Sequence, residues 1–306
     1  MRKTRVHNDV SSYDDWADQA AQRLLKQTNV RPGPWLVLGA ADTGKTTLVC
    51  ALARRAASDR NVGIVDADIG QSHIGPPTTV GWALLKAAQD SSASGPPDVQ
   101  VELSALRVGG ISFVGDVTPV GHLLPLTAAV VQCVQQALAS ADLVIIDTPG
   151  FISGPGANTL WWTIRRILRP TWIVALARDN EIDEILAGLK QPDRLLEIIV
   201  PPASLSSKSP DQRRQYRRER LKTYFNGAEQ QVIGLNNIAV QVGRDFADKG
   251  MTHRLVALRD GQGIDQALGI VTNWPSDGNK ITVLAPAMNT KQIHWLVVGD
   301  VYIDFL

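Results

Sequence analysis

The sequence is poor in cysteine. Only Cys50 and Cys133 occur among its 306 residues, and both stand in apolar stretches. Such surroundings favour buried, unreactive thiols over a disulfide. Two cysteines cannot supply a disulfide scaffold or a cysteine-based zinc site, so both of these classes are excluded.

Long apolar runs are also missing. No stretch of about 18 consecutive apolar residues occurs, so no membrane-spanning helix is expected. The basic start, from Arg2 to Arg5, runs into acidic residues from Asp9 onward rather than into an apolar segment. This is not the pattern of a signal peptide. We therefore expect a cytoplasmic protein without a membrane partner.

A large net charge is the third absence. The 31 Lys and Arg residues are balanced by 30 Asp and Glu residues, which leaves a net charge of +1. The segment Lys208–Lys222 alone carries seven basic and two acidic residues, so its balance is +5 and that of the remaining chain is −4. This distribution argues against a protein that coats long nucleic acids, but it suits one that binds phosphates at a single place.

What is present is a regular alternation of short apolar runs and helical stretches. Apolar runs separated by helices are typical of a mostly parallel sheet covered by helices on both faces, an α/β fold. Strands are predicted at Trp35–Leu38, Val62–Val65, Ile111–Val114, Leu143–Ile146, Trp172–Leu176 and Leu195–Val200. Helices are predicted at Tyr13–Gln27, Lys45–Ser58, His122–Ser140, Ala157–Leu168 and Glu181–Leu189, and a polar surface loop at Gln89–Asp98.

The pattern changes after Val200. A Pro- and Ser-rich connector, Pro201–Gln212, leads into a basic helical stretch, Arg213–Phe225. Beyond it the helical period disappears, which predicts a small C-terminal β domain. Its strands are predicted at Gln230–Val242, His253–Leu258, Ala267–Asn273, Lys280–Leu284 and Trp295–Phe305, with turns at Asp260-Gly261 and Asp277-Gly278.

The first predicted strand leads into a phosphate-binding loop. The loop matches G-x-x-x-x-G-K-[ST] and opens a predicted helix, so the fold is expected to be of the P-loop NTPase type. Its residues are Gly39, Ala40, Ala41, Asp42, Thr43, Gly44, Lys45 and Thr46. Backbone N–H groups and the helix N-terminus would hold phosphate oxygens, Lys45 would reach the β- and γ-phosphates, and Thr46 would hold Mg²⁺.

Acidic residues end two further strands. Asp66 and Asp68 follow the second strand, where one carboxylate can orient Mg²⁺ and the other can accept a proton from an attacking hydroxyl. The alternative is that both only cap the following turn. The segment Asp147–Gly150 is similar to the D-x-x-G switch of GTPases, but no N-K-x-D motif follows it, which disfavours a simple GTPase.

The basic helical stretch predicts a lid. Arg213, Arg217 and Arg220 fall on one helical face, and a guanidinium binds two phosphate oxygens at once. Such a face is often only a solvated surface. Next to a phosphate loop and after a flexible connector, a lid that closes over ATP is the better interpretation.

Taken in order, the motifs resemble the polynucleotide 5′-hydroxyl kinase family, which includes RNA 5′-kinases of pre-mRNA cleavage and ribosomal RNA processing and shorter archaeal kinases. The matching segments are Asp42–Thr47, Asp66–Gln71, Pro76-Pro77, Thr118–Gly121, the "clasp" Thr148–Phe151 and the lid motif Arg213–Arg217. Two features depart from the eukaryotic relatives: Phe151 stands in place of their usual Trp, and their N-terminal β domain has no counterpart, as in the archaeal form.

The resemblance implies a site. Lys45, Asp68, Arg213 and Arg217 would be catalytic, with Asp68 as general base and the arginines on the transferred phosphoryl group. Thr47, Thr148 and Gly150 would join the phosphate loop in binding ATP, and Thr46 and Asp66 would hold Mg²⁺. GTP is left open as a donor. The acceptor would be lined by Gln71, Thr118, Gly121, His122 and Phe151.

The function that the resemblance implies is transfer of the ATP γ-phosphate to the 5′-hydroxyl end of a nucleic acid, with RNA favoured over DNA. The domains would be an N-terminal helix in 1–30, a P-loop kinase domain in 31–227 with its lid at about 201–227, and a C-terminal β domain in 228–306. Two alternatives stay open: a nucleotide-switched scaffold in RNA processing with weak or no kinase activity, and a kinase of a small metabolite.

Overall fold

A computed structural model describes residues 13–27, 33–88, 101–189, 195–203, 205–242, 250–274 and 279–304. The predicted loop Gln89–Asp98 and the predicted turn Asp277-Gly278 lie outside the described residues. Among the helices that the structure describes, none is long and apolar enough to cross a bilayer.

In these described ranges, seven strands form the first sheet, in the order β4-β3-β2-β5-β1-β6-β7. They are β1 (Gly33–Gly39), β2 (Val62–Asp66), β3 (Thr79–Leu85), β4 (Val108–Phe113), β5 (Leu143–Asp147), β6 (Trp172–Leu176) and β7 (Leu195–Ile199). Strands β2, β5, β1, β6 and β7 run parallel, whereas β3 and β4 pair antiparallel at one side. The sheet is mostly parallel, as predicted.

Helices cover both faces of this sheet. Helices α1 (Tyr13–Gln27) and α2 (Lys45–Ala56) pack on one face, and α3 (Leu123–Leu138), α4 (Gly154–Leu168) and α5 (Asp183–Leu189) on the other. Successive side chains of β1 alternate between the two faces of the sheet: Trp35 and Val37 are buried with α1 and α2, and Leu36 and Leu38 with α3 and α4. Burial on both sides accounts for the continuous apolar runs in the sequence.

A second sheet follows α6 (Pro210–Tyr224). Within the part of the chain that is described it has six strands, in the order β8-β12-β11-β10-β13-β9. They are β8 (Glu229–Gly234), β9 (Ala239–Val242), β10 (Arg254–Asp260), β11 (Asp265–Asn273), β12 (Lys280–Ala285) and β13 (Ile293–Tyr302); 3₁₀ turns lie at Leu103–Ala105 and Thr290–Gln292.

Two features differ from the predictions. The single strand predicted at Gln230–Val242 is wrong: a turn in which Ile238 N–H donates to the Leu235 carbonyl, at 3.1 Å, divides it into β8 and β9. These two strands then occupy opposite edges of the second sheet. Strand β3 was not predicted, because Gly81 and the preceding Pro76-Pro77 obscure the strand pattern.

The two sheets are joined by specific contacts. The Phe113 N–H at the end of β4 donates to Asp265 Oδ2 at 2.6 Å, and the Asp300 N–H of β13 donates to the Gly115 carbonyl at 2.8 Å. Leu221 and Phe225 at the end of α6 share an apolar cluster with the second sheet. Helix α6 is therefore packed against the second sheet; its role as a lid and the domain boundary near residue 227 stay predictions.

Asp18 fastens α1 to α2. Its carboxylate accepts hydrogen bonds from Arg54 and Arg55, the latter from Nε at 2.7 Å as well as from the guanidinium end. The Arg55 hydrogen bond holds the pKa of Asp18 below its ordinary value. A carboxyl whose pKa is depressed by folding adds stability above its unfolded pKa, and this stability is lost as the pH falls through the folded value.

We therefore expect Asp18→Asn to lower the free energy of unfolding by about 1 kcal/mol at pH 7, as measured by urea denaturation. The difference should shrink below about pH 4, where the carboxylate of the unfolded chain becomes protonated, and it should be lost as the pH falls through the lower pKa of the folded state. Asp59→Asn is the matched control, because Asp59 is exposed and, among the described residues, forms an ion pair with its neighbour Arg60 alone. An equal effect of both substitutions would contradict this role of Asp18.

Candidate functional site: a phosphate-loop cleft

The phosphate loop connects the carboxyl end of β1 to the first turn of α2. Two residues in it have left-handed backbone, Asp42 with φ 57° and Gly44 with φ 85°. Thr43 Oγ1 donates to the Ala40 carbonyl at 2.9 Å and closes the loop on itself. These bends turn the chain so that backbone N–H groups surround one point in front of the helix, where an anion is favoured.

Lys45 is buried within this loop, with 7% of its surface exposed. Its Nζ donates to the Ala40 carbonyl at 2.7 Å, so the amine lies folded back over the loop. Burial lowers the pKa of Lys45, and the charges of Asp147, Asp68 and Asp42 oppose that shift. The acidic neighbours thus favour the charged form of the Lys45 amine against the effect of burial.

Asp66 ends β2 and is fully buried. Its carboxylate accepts three backbone N–H groups, from Asp68 at 3.0 Å, His73 at 2.5 Å and Ile74 at 3.1 Å. Burial, and after it the charge of Asp68, raises the pKa of Asp66 to about 7. This geometry makes Asp66 the organiser of the following turn; its predicted role as a Mg²⁺ ligand stays a prediction.

Asp147 ends β5 and lies directly opposite Asp66 in the register of the two strands. Its Oδ2 accepts a hydrogen bond from Thr46 Oγ1 at 2.6 Å, whereas its buried Oδ1 has no hydrogen-bond partner among the described residues. Burial, followed by the charge of Asp66, raises the pKa of Asp147 to about 7. A buried, unpartnered carboxylate oxygen beside a hydroxyl is a donor set that suits Mg²⁺.

Asp68 lies on the turn after β2, at the wall of the cleft. One oxygen, Oδ1, accepts the N–H groups of Gly70 at 3.1 Å and Gln71 at 3.0 Å. Within the described residues, no hydrogen bond is made to its Oδ2. Asp68 thus does cap its turn, the alternative considered above, and still presents a second oxygen for other chemistry.

The clasp, Thr148–Phe151, packs under the phosphate loop. Thr148 Oγ1 donates to the Val37 carbonyl of β1 at 2.7 Å, so its hydroxyl ties the clasp to β1. Gly150 passes so close to the loop that a Cβ there would lie 2.7 Å from the Ala41 Cα. Only glycine fits this approach.

Helix α6, the predicted lid, contacts the loop through its first turns. Ser209 caps it together with Gln212 in a capping box, and Arg213 Nη2 forms an ion pair with Asp42 Oδ2 at 2.6 Å. Two more side chains of α6 reach the turn after β2. Tyr216 donates to the Ser72 carbonyl at 3.0 Å, and Arg220 to the His73 and Gly75 carbonyls at 2.7 and 2.8 Å.

These elements enclose a cleft of about 580 Å³. Many of the predicted site residues line it: Ala41, Asp42, Gly44, Lys45, Thr46, Thr47, Asp68, Gln71, Gly150, Phe151, Arg213 and Arg217. Five others support its walls from β1, β2, β5 and the loop: Gly39, Ala40, Thr43, Asp66 and Thr148. The loop, the acidic turn and α6 therefore meet in one place.

Three residues predicted to line the acceptor lie elsewhere. Gly121 and His122 line a second cavity of about 610 Å³ between α3 and the second sheet, and Thr118 is exposed between the two cavities. The segment does reach the cleft through Val117 and Pro119. The role of these three residues in binding an acceptor stays a prediction.

Sequence reasoning missed Asp147 as a partner of Thr46, and it missed His73 and Lys208 in the cleft wall. The His73 ring is partly buried, and this burial lowers its pKa. The only available signal for His73 was its place two residues beyond the Asp66–Gln71 motif. Lys208 counted only as part of the basic segment.

Strand, phosphate loop and helix, with acidic strand ends beside them, define a P-loop nucleotide-binding protein. More narrowly, the chain belongs to the family described as mRNA cleavage and polyadenylation factor CLP1 P-loop, whose model matches residues 39–227, more than half of the chain.

Curated relatives share the same region. A polyribonucleotide 5′-hydroxyl-kinase of Pyrococcus abyssi is 31% identical over 228 residues, which cover 73% of this chain and 60% of that protein. One from Pyrococcus furiosus is 33% identical, over 73% of this chain and 58% of its own length. This chain thus spans less than two thirds of each of these relatives.

Among solved structures, that of the wild-type Clp1p–Pcf11p complex matches with a TM-score of 0.66 and 12% identity, over 96% of this chain and 80% of that one. At this level of identity the match shows the fold alone. It supports an α/β P-loop fold followed by a second, C-terminal sheet.

The close approach of the clasp to the loop yields a prediction. Gly150→Ala would force the added methyl against the Ala41 backbone, so we expect nucleotide binding to weaken about tenfold or more. Titration with a fluorescent ATP analogue measures this. Gly234→Ala is the control, because a Cβ there meets nothing within 4 Å. Unchanged affinity in Gly150→Ala would show that the clasp does not set the loop geometry.

Proposed function

We propose that the protein transfers the γ-phosphate of ATP to the 5′-hydroxyl end of a polynucleotide, with RNA favoured over DNA. One observation carries this proposal: the uncommitted Oδ2 of Asp68 belongs to the same cleft as the phosphate loop and the arginines of α6. A base, a phosphate site and cations around one space are what phosphoryl transfer to a hydroxyl requires.

Asp68 is the proposed general base. The N–H groups of Gly70 and Gln71 hold its Oδ1, which fixes the direction of the carboxylate and leaves Oδ2 to accept the proton of an attacking hydroxyl. Gln71 stands beside it, with a buried Oε1 that has no hydrogen-bond partner among the described residues. We assign Gln71 to the acceptor.

Thr46 and Asp147 are the proposed holders of Mg²⁺, because Thr46 Oγ1 already contacts Asp147 and the Asp147 Oδ1 is unsatisfied. Bound there, Mg²⁺ would neutralise charge on the β- and γ-phosphates. Asp66 supports Asp147 from the adjacent strand end. ATP is the proposed donor and GTP the other one to be tested.

Lys45 and the arginines are the proposed electrostatic partners of the transferred group. The amine of Lys45 must leave the Ala40 carbonyl to reach a γ-phosphate, and its buried ammonium would then be drawn to the phosphate charge. Arg213 and Arg217 approach from the lid, and both line the cleft. They would stabilise charge on the phosphoryl group during transfer.

The test is transfer of labelled phosphate from ATP or GTP to matched 5′-OH RNA and DNA oligonucleotides. We expect Asp68→Asn to lower kcat by about 10²- to 10⁴-fold with nucleotide binding retained, and Lys45→Ala to abolish transfer. Asp59→Asn, in the turn between α2 and β2, is the matched control.

The outcomes separate the candidate functions. Absence of transfer to either oligonucleotide, or full activity in Asp68→Asn, would refute the kinase proposal. Tight nucleotide binding with slow hydrolysis would instead favour the nucleotide-switched scaffold, and transfer to a nucleoside or sugar alone would favour a small-metabolite kinase.

The lid generates a second prediction. Arg217 lines the cleft, whereas Arg214 on the same helix is exposed and pairs with Asp211. We expect Arg217→Ala to lower kcat by about 10²-fold or more while the KM for ATP changes little, because the arginine would act on the transferring group. Arg214→Ala should leave both constants near wild type. Equal loss in both variants would mean that the lid contributes only its overall charge.

A further inference from the structure

The segment between β4 and α3, residues 115–122, stands between the cleft and the second sheet; we call it the bridging loop. Val117 and Pro119 line the cleft, and Gly121 and His122 line the second cavity. The loop also touches the turn that carries Asp68, because a Cβ at Gly70 would lie 2.8 Å from the Val117 carbonyl oxygen. Its position therefore bears directly on the wall of the cleft.

The second sheet holds this loop at both ends through one residue, Asp300 of β13. The Asp300 N–H donates to the Gly115 carbonyl at 2.8 Å, at the start of the loop. At its end, His122 Nε2 lies 3.0 Å from Asp300 Oδ2, and because a carboxylate can only accept, the ring nitrogen donates. Both side chains are mostly buried, with 17% and 15% of their surfaces exposed.

Asp300 is itself held in place. The Arg254 guanidinium, which is 1% exposed, lies 3.8 Å from Asp300 Oδ1 and donates to the neighbouring Gly299 carbonyl at 3.1 Å. The ring of His122 is flanked on its other side by Asp116, with Nδ1 4.0 Å from Oδ2. A charged hydrogen bond in so enclosed a place is stronger than one at an open surface.

We propose that Asp300 is a positioning residue for the acceptor: through His122 it fixes the bridging loop against the Asp68 turn, so that the second sheet helps to shape the place where the 5′-hydroxyl strand binds. This inference rests on the proposed kinase function. It assigns the C-terminal sheet a part in acceptor binding, while the phosphate loop on the other side of Asp68 serves the nucleotide.

The test separates the KM for the acceptor from the KM for ATP. We expect Asp300→Ala to raise the KM for a 5′-OH oligonucleotide roughly three- to tenfold and to leave the KM for ATP unchanged. Asp300→Asn keeps an acceptor oxygen for His122 and should retain part of the wild-type value. Asp304→Asn, an exposed acidic residue just beyond β13, is the matched control.

A double-mutant cycle identifies His122 as the intermediary. His122→Ala alone should raise the acceptor KM as Asp300→Ala does, and the two substitutions together should add little more. Amide hydrogen exchange of the bridging loop, measured without substrate, should increase in Asp300→Ala and not in Asp304→Asn. Additive effects, or unchanged exchange, would overturn the assignment.

Failure of the inference and failure of the function are distinguishable. If the wild type transfers phosphate and Asp300→Ala has the wild-type acceptor KM, the inference is wrong and the kinase stands. If Asp300→Ala changes the KM for ATP as much as that for the acceptor, the residue supports the whole fold rather than the acceptor, and the inference is again wrong. A wild type that transfers to no oligonucleotide overturns both.

Discussion

Two buried carboxylates on adjacent parallel strands constrain everything around the cleft. Pairing of β2 with β5 sets Asp66 opposite Asp147, and both are almost completely buried. Burying charges in such a place is costly: burial raises the pKa of each to about 7, and the next contribution is the charge of Asp68 for Asp66 and the charge of Asp66 for Asp147. The groups that offset this cost are the backbone N–H groups of the turn after β2, the Thr46 hydroxyl and the Lys45 ammonium. These groups belong to the turn after β2 and to the phosphate loop. The acidic pair therefore fixes the turn and the loop relative to each other.

Three carboxylates that look alike in the sequence have different hydrogen-bond partners in the structure: those of Asp66, Asp68 and Asp147. The Asp66 carboxylate accepts hydrogen bonds from three backbone N–H groups and thereby shapes the turn after β2. Asp68 Oδ1 accepts two backbone N–H groups of this turn, so the other oxygen, Oδ2, has a fixed direction. Asp147 gives one oxygen to Thr46 and keeps one unsatisfied. For Asp68, rigid support behind a single free oxygen fits the proposed role of general base, since misplacement by about 1 Å can cost a factor of 100 in rate.

The fold could be predicted from sequence where local pattern determines it. The bounds of α1 and β6 agree with prediction, because an amphipathic period and a continuous apolar run are local signals. Strand β3 was not predicted, because glycine interrupts its apolar pattern and because it pairs antiparallel with β2. In the site, the phosphate loop is one contiguous motif, whereas the contact of Thr46 with Asp147 depends on β5 lying beside β1. Strand order is a property of the whole sheet, so the residues around Thr46 carry no sequence signal of this contact.

The contacts of the basic segment Lys208–Lys222 show which of its charges are paired. Arg213 is paired with Asp42, Arg214 with Asp211 and Lys222 with Glu219. Arg220 donates to backbone carbonyls, and Lys208 lies 5.6 Å above the Tyr216 ring. Arg213 and Arg220 therefore fasten α6 to the loop and the acidic turn, whereas Arg214 and Lys222 pair with acidic residues of the same helix. Arg217 lines the cleft, where its charge would act on a bound phosphate group over a short range.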